Sequence, residues 1–194
     1  MDLQFQPVRM MEPAIVERLR IAFPEKIFGI ERVPPTMTLR EFERVIRISP
    51  FVGLAWMGMK PDPNSGRQLK GKMLWRVYLI FKASGSLETR FKGDAHGLGL
   101  DAMIDVSAAL LHGIPFDGIG LSSVTAAHAI TAEGILDEGV VLAQVDFEID
   151  FQTSPAPYKL KTIEDFKGLN ITWAVADGVE GSPELPQNIP TAEE

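Results

Sequence analysis

Residues 145–151 read V-D-F-E-I-D-F, with Val145, Phe147, Ile149 and Phe151 alternating with Asp146, Glu148 and Asp150. Successive side chains of an extended strand point to opposite faces, so this run has one dry face and one acidic face. A period of two sustained throughout rejects a helix. The charged face rejects a strand buried between two helix layers. The run therefore predicts a one-sided sheet strand, with water or basic groups opposite its carboxylates.

Upstream, residues 72–82 read K-M-L-W-R-V-Y-L-I-F-K and divide under the same rule. Met73, Trp75, Val77, Leu79 and Phe81 form a core face, while Lys72, Leu74, Arg76, Tyr78, Ile80 and Lys82 form an amphipathic, basic one. Beside the acidic strand, Arg76 or Lys82 gains a cross-strand charge partner, each pair contributing about 0.2 to 1 kcal/mol. Asp146, Glu148 and Asp150 thus read as charge partners. They alternate along one edge with no His or Cys close in sequence to complete a metal or acid/base site.

The chain has 194 residues, 45% hydrophobic and 23% charged, the balance of a globular protein with enough chain for a substantial core. It has no cysteine, which removes disulfides, thiolate metal sites and cysteine nucleophiles and fits a reducing cytosol. The longest uncharged stretches, residues 48–59 and 118–132, are shorter than the about 18 apolar residues a membrane span needs. The opening M-D-L-Q-F-Q-P has no apolar segment of a secretory signal. Charge is polarised: residues 1–59 carry 8 basic and 7 acidic side chains, residues 60–92 carry 8 and 2, and residues 93–194 carry 3 and 17. That complementarity can be satisfied inside a monomer or between head-to-tail copies.

Pro13 is expected to open a short amphipathic helix with Ile15, Val16, Leu19 and Phe23 at helical spacing, ended by Pro24. Residues 25–37 read as a connector, and Thr38 with Glu41 as a capping box ahead of a second helix. Residues 50–59 predict a strand, and K-P-D-P-N-S-G-R-Q-L-K-G, residues 60–71, a long hairpin loop carrying Lys60, Arg67 and Lys70. Loops of this length are mobile or act as functional arms. Leu100, Met103, Ile104, Ala108 and Leu111 mark one face of a helix that Gly113 and Pro115 end. Residues 124–131 and 140–151 predict a hairpin, and residues 169–175 a short strand around Trp173. Residues 176–194, with three prolines, five acids and no basic residue, are expected to be disordered.

Three motifs suggest chemistry and fall short of it. Gly93 to Gly99, G-D-A-H-G-L-G, lacks the G-K-[S/T] of a P-loop and the G-x-G-x-x-G spacing of a dinucleotide site, and reads as a flexible turn. His96, His112 and His128 are spaced by sixteen, a turn of about 160° even in a continuous helix, and Gly113 and Pro115 break the chain between the last two, so they cannot share a helical face. Gly120-Leu121-Ser122-Ser123-Val124 has Val where a nucleophile elbow has Gly. The stronger alternative is a sheet-based single-stranded nucleic-acid-binding protein, with Arg76, Tyr78 and the basic loop as platform and rim. Against it stand a pI near 5.1 and an alternation that sends Trp75 and Phe81 to the core.

Taken in order, R-F-K-G (residues 90–93), Gly97-Leu98, Met103-Ile104, L-L-H-G (110–113), G-I-G-L (118–121) and the 145–151 strand resemble the tail terminator proteins of Mu-like phages and prophages. These share the α/β fold of lambda-type tail terminators, and the resemblance covers residues 11–151. With the element order it predicts an α/β (α+β) domain over residues 1–151, a mainly antiparallel sheet of four to five strands with two or three helices on one face. Residues 152–175 are then a C-terminal extension packing on the domain or a neighbour, and 176–194 an acidic tail.

The resemblance implies a structural, non-enzymatic virion protein with no catalytic residue, cofactor or metal. Its expected form is a homohexameric ring that caps the tail tube, ends its polymerisation and joins it to the neck connector (stopper) protein. It is assembled in the host cytoplasm and sits at the tail–neck junction. The implied partners are further copies of itself, the tail tube protein, the connector and, in a contractile tail, the sheath protein; DNA passes through without specific binding, and no membrane is involved. Lys60, Arg67, Lys70, Arg76, Arg90, Lys92, Asp146, Glu148 and Asp150 are the residues expected to take part in protein contacts.

Overall fold

The V-D-F-E-I-D-F strand and residues 72–82 pair side by side at the centre of a six-stranded sheet. The computed structural model describes residues 7–66, 68–94, 97–130, 139–153, 168–173 and 185–190. Between Pro7 and Thr153 the elements are α1 (Pro7–Arg20), β1 (Gly29–Arg32), α2 (Leu39–Arg47), β2 (Phe51–Pro61), β3 (Lys70–Lys82), α3 (Leu87–Lys92), β4 (Gly93–Asp94), β5 (Gly97–Leu98), α4 (Leu100–Leu111), β6 (Ile114–Phe116), β7 (Gly120–Ile130) and β8 (Val140–Gln152). They form one compact unit with strand order β1-β2-β3-β8-β7-β6.

Register assigns the two faces. Trp75 lies opposite Phe147, Val77 opposite Val145 and Leu79 opposite Ala143, and all six are buried. Ser122, opposite Ile149 on that face, donates its hydroxyl to the Leu111 carbonyl, which seats the end of α4 against it. α4 in turn meets α1, where Arg18 Nε donates to the Leu110 carbonyl at 3.1 Å. Met11, Ile15 and Leu19 of α1 and Leu100, Met103 and Leu111 of α4 are buried.

The sheet departs from the expected one in three ways. It has six strands, more than the four to five expected, and it is mixed, because β1 runs parallel to β2 from Gly29↔Phe51 to Arg32↔Leu54. A four-residue strand ending in Glu31 and Arg32 is too short to show alternation, and the three-residue β6 contains Pro115, tolerated because it lies at the sheet edge. The helices also do not share one face. Val45 and Ile46 of α2 pack with Phe51, Tyr78, Ile80 and Val140 on the face opposite to α1 and α4. That end of the second face is apolar, so it requires its own cover.

Local readings shift as well. α1 begins at Pro7, with Pro13 inside it on the exposed side. Thr38 caps α2 as expected, its hydroxyl accepting from Glu41 N at 3.2 Å. The buried stripe of α4 is Leu100, Met103, Ser107 and Leu111, leaving Ile104 and Ala108 only partly covered.

The remaining described residues belong to a second unit. There β9 (Gly168–Trp173) pairs antiparallel with β10 (Leu185–Pro190), from Leu185↔Trp173 to Pro190↔Gly168. Residues 185–190 are thus a strand within the stretch expected to be disordered. Pairing supplies backbone hydrogen bonds that composition does not reveal.

Candidate interaction surface

The second face of the sheet changes character along its length. At one end Phe51, Ile80 and Leu142 lie in one row across β2, β3 and β8, under α2. The next rows bring Tyr78 opposite Gln144, Arg76 opposite Asp146, Leu74 opposite Glu148 and Lys72 opposite Asp150. Alternation in each strand sets which residues share this face, and the register sets which of them meet in a row. The charged rows are partly or fully exposed.

Arg76 Nε donates to Asp146 Oδ1 at 2.6 Å and its NH2 to Oδ2 at 3.0 Å, a two-pronged pair in which both side chains are about three-quarters buried. This bond is the largest cause that raises the Arg76 pKa above the ordinary arginine value. Gln144 Nε2 adds a second donor to Asp146 Oδ2 at 3.1 Å, and the guanidinium lies 5.8 Å from the centre of the Tyr78 ring. Lys72 is paired diagonally with Glu148, whose hydrogen bond is the largest cause raising the Lys72 pKa. Lys82, the other expected partner, lies opposite Val140 instead, because the carboxylates occupy the far half of β8.

The hairpin tip between β2 and β3 is fastened down. Asn64 N donates to Asp62 Oδ1 at 2.9 Å, and Lys70 Nζ lies 3.4 Å from Asp62 Oδ2. Thr153, just past β8, donates its N–H to the Leu69 carbonyl at 2.8 Å and accepts from Leu69 N through its hydroxyl at 3.1 Å. Gln68 Nε2 donates to the Thr153 carbonyl at 2.6 Å. These bonds join residues more than eighty positions apart, a connection with no sequence signal.

Beside the tip, a cleft of about 590 Å³ is lined by Lys60, Lys70, Lys72 and Asp150 over Ile119 and Phe151. Lys60 and Lys72 face each other in register, a like-charge pair offset by Asp150 on the other side of Lys72. Arg67 lies outside the described residues. Arg90 and Lys92 sit on α3, away from this cleft: Arg90 Nε donates to the Ala83 carbonyl at 3.2 Å, and Lys92 pairs with Glu88 at 2.9 Å. The structure therefore gathers Lys60, Lys70, Arg76, Asp146, Glu148 and Asp150 on one face and sets Arg90 and Lys92 apart. Part of the charge polarity of the sequence is satisfied inside the chain.

The discarded motifs have structural explanations. Gly93 and Gly99 come together where α3 turns into α4 through the β4–β5 pair. A Cβ on Gly99 would stand 2.2 Å from Gly93 N and from the Phe91 carbonyl oxygen, so the glycines allow backbone to touch backbone. Ser122 is fully buried with its hydroxyl committed to Leu111. His112 caps the end of α4 and accepts from Val124 N at 3.3 Å, His128 is exposed on β7, and His96 lies outside the described residues.

No family model matches the chain, and no curated protein matches it. Among solved structures, the chain is similar to one from a structure described as the virion of a native gene transfer agent (GTA) particle. The TM-score is 0.51 at 12% identity, covering 77% of this chain and 100% of that one. At that identity the likeness is one of fold.

Proposed function

We propose that this protein is a structural virion component: a tail terminator that caps the tail tube as a homohexameric ring, ends its polymerisation and joins it to the neck connector. The observation that carries the reading is the fold shared with a whole chain of a gene transfer agent virion. The ordered sequence features that resemble Mu-like tail terminators support the finer assignment. The role is non-enzymatic and located at the tail–neck junction. The tube and connector proteins are the partners, with sheath protein in a contractile tail, and DNA passes through the ring.

The nucleic-acid alternative needs accessible aromatic faces beside free cations. Trp75 is 1% exposed, Tyr78 is 9% exposed with its hydroxyl donating to the Pro35 carbonyl, and the Arg76 guanidinium is taken by Asp146. A serine hydrolase needs an accessible nucleophile, and Ser122 is buried.

Light scattering on the purified protein, alone and with tail tube protein, at low and moderate salt, tests the proposal. The expected result is a ring of about six subunits, a closed cyclic assembly, either alone or on the tube. A stable monomer that ignores tube protein refutes it.

A further inference from the structure

Among the described residues, β7 is an open edge for most of its length. β6 pairs only with its beginning, from Phe116↔Gly120 to Ile114↔Ser122, and from Val124 to Ile130 no described strand lies on the side away from β8. In an antiparallel ladder every second residue turns its N–H and C=O away from the neighbouring strand. Val124 is one of these, since its N–H reaches His112. Thr125 is the extra residue of a bulge, the register stepping from Val124↔Phe147 to Ala126↔Asp146. The outward-facing residues beyond it are Ala127 and Ala129. Both are exposed, as are Ala126 and His128. Natural edges are guarded by Lys, Pro or inward charge, and residues 126–130, A-A-H-A-I, have none of these.

The opposite end of the sheet carries a matching edge. Gly29 N donates to the Pro50 carbonyl and Val33 N to the Leu54 carbonyl, so Ile30 and Arg32 of β1 turn their main chain away from β2. β1 runs with β2, and β2, β3, β8 and β7 alternate in direction, so β1 and β7 are antiparallel to each other. Register also levels them. Ile30, Val52, Leu79, Ala143 and Ala129 form one row across the sheet, and Arg32, Leu54, Val77, Val145 and Ala127 form another. Rotating a copy about an axis along the strands keeps the same face inward and the rows level. It sets Ile30 of one copy opposite Ala129 of the next and Arg32 opposite Ala127. All four are outward-facing residues, the arrangement of a hydrogen-bonded antiparallel pair.

We infer that the joint between copies is β-strand addition, with β1 of one subunit extending the sheet of its neighbour at β7 in the register Ile30↔Ala129. This rests on the ring reading above and names its contact. A second copy is the occupant because its β1 has the direction, parity and level that β7 requires, and because a closed ring leaves neither edge open.

The chain has no cysteine, so a pair can be placed without background. Opposed residues in a hydrogen-bonded pair stand about 5.5 Å apart at Cα, within disulfide reach. Full-length Ile30→Cys and Ala129→Cys are mixed, alone and with tube protein, oxidised, and run without reductant, with light scattering in parallel. The expected product is a dimer containing one of each variant, with neither variant linking to itself, and the double variant forms a ladder ending at ring size. Rings that form without the unlike link overturn the joint and leave the ring reading standing. Absence of rings under every condition overturns both. As a second measurement, Ala129→Pro removes an outward N–H while sparing the β8 ladder. It is expected to lose the ring with its thermal transition unchanged, and a retained ring overturns the joint.

Discussion

Replacing Asp146 with Ala strips both acceptors from a guanidinium that is about three-quarters buried beside the Tyr78 ring. It also leaves Gln144 Nε2 without its carboxylate acceptor. Exposed ion pairs contribute about 0 to 1 kcal/mol, whereas breaking a buried one costs about 3 to 5. With side-chain exposures of 23% and 24% and two bonds of 2.6 and 3.0 Å, the pair lies between these limits. The single substitution is expected to cost about 2 to 3 kcal/mol, which lowers the melting temperature by about 4 to 12 °C for a domain of this size. In a double-mutant cycle with Arg76→Met, Met retains the apolar stem, and the coupling is expected at about 1.5 kcal/mol. Urea unfolding at low salt and in 0.5 M salt measures it. The coupling should survive salt, because the pair is shielded from counterions. The Lys72–Glu148 pair, with Lys72 about half exposed, should show a smaller coupling that salt removes. A coupling at Arg76–Asp146 within error of zero, or erased by salt like its neighbour, would refute the claim that this row holds β3 to β8 through its charges.

Two further outcomes test the face assignment and the hairpin tip. Phe147→Ala, on the helix-covered face opposite Trp75, should cost about 3 to 5 kcal/mol in urea unfolding, while Asp150→Asn on the exposed face should change stability by less than about 0.5; comparable losses would mean the faces are assigned wrongly. The Asn64 N–H, and after it Lys70, hold the Asp62 carboxyl below its ordinary pKa. Its contribution is therefore present above the ordinary carboxylate range and lost as pH falls through the lowered folded value. Asp62→Asn should flatten the acid limb of amide-exchange protection at residues 62–70, and an unchanged limb would show that the tip is held elsewhere.

Alternation alone, in residues 72–82 and 145–151, determined two strands, how each divides its side chains between the two faces, and that a basic row meets an acidic one; the burial of Tyr78 and Ile80 on the charged face came only with the cover by α2. A strand side chain has only two directions to point, and a run of seven or more residues leaves one consistent assignment. The Thr38 cap and the hairpin of β7 with β8 were legible for the same reason, since their signals lie within a few residues. The sequence could not show that α2 covers the second face, because Val45 and Ile46 are apolar whichever face they meet. Nor could it show β1 or β6, whose three or four residues carry no period and become strands only because β2 and β7 offer them hydrogen bonds. Which cation meets which carboxylate was likewise set by register: a shift of two residues along β8 leaves every side chain on its own face but gives Arg76 a different partner. Local pattern determined orientation within each element. The tertiary structure decided partnership between elements, because pairing energies between distant segments depend on alignment that no single segment encodes.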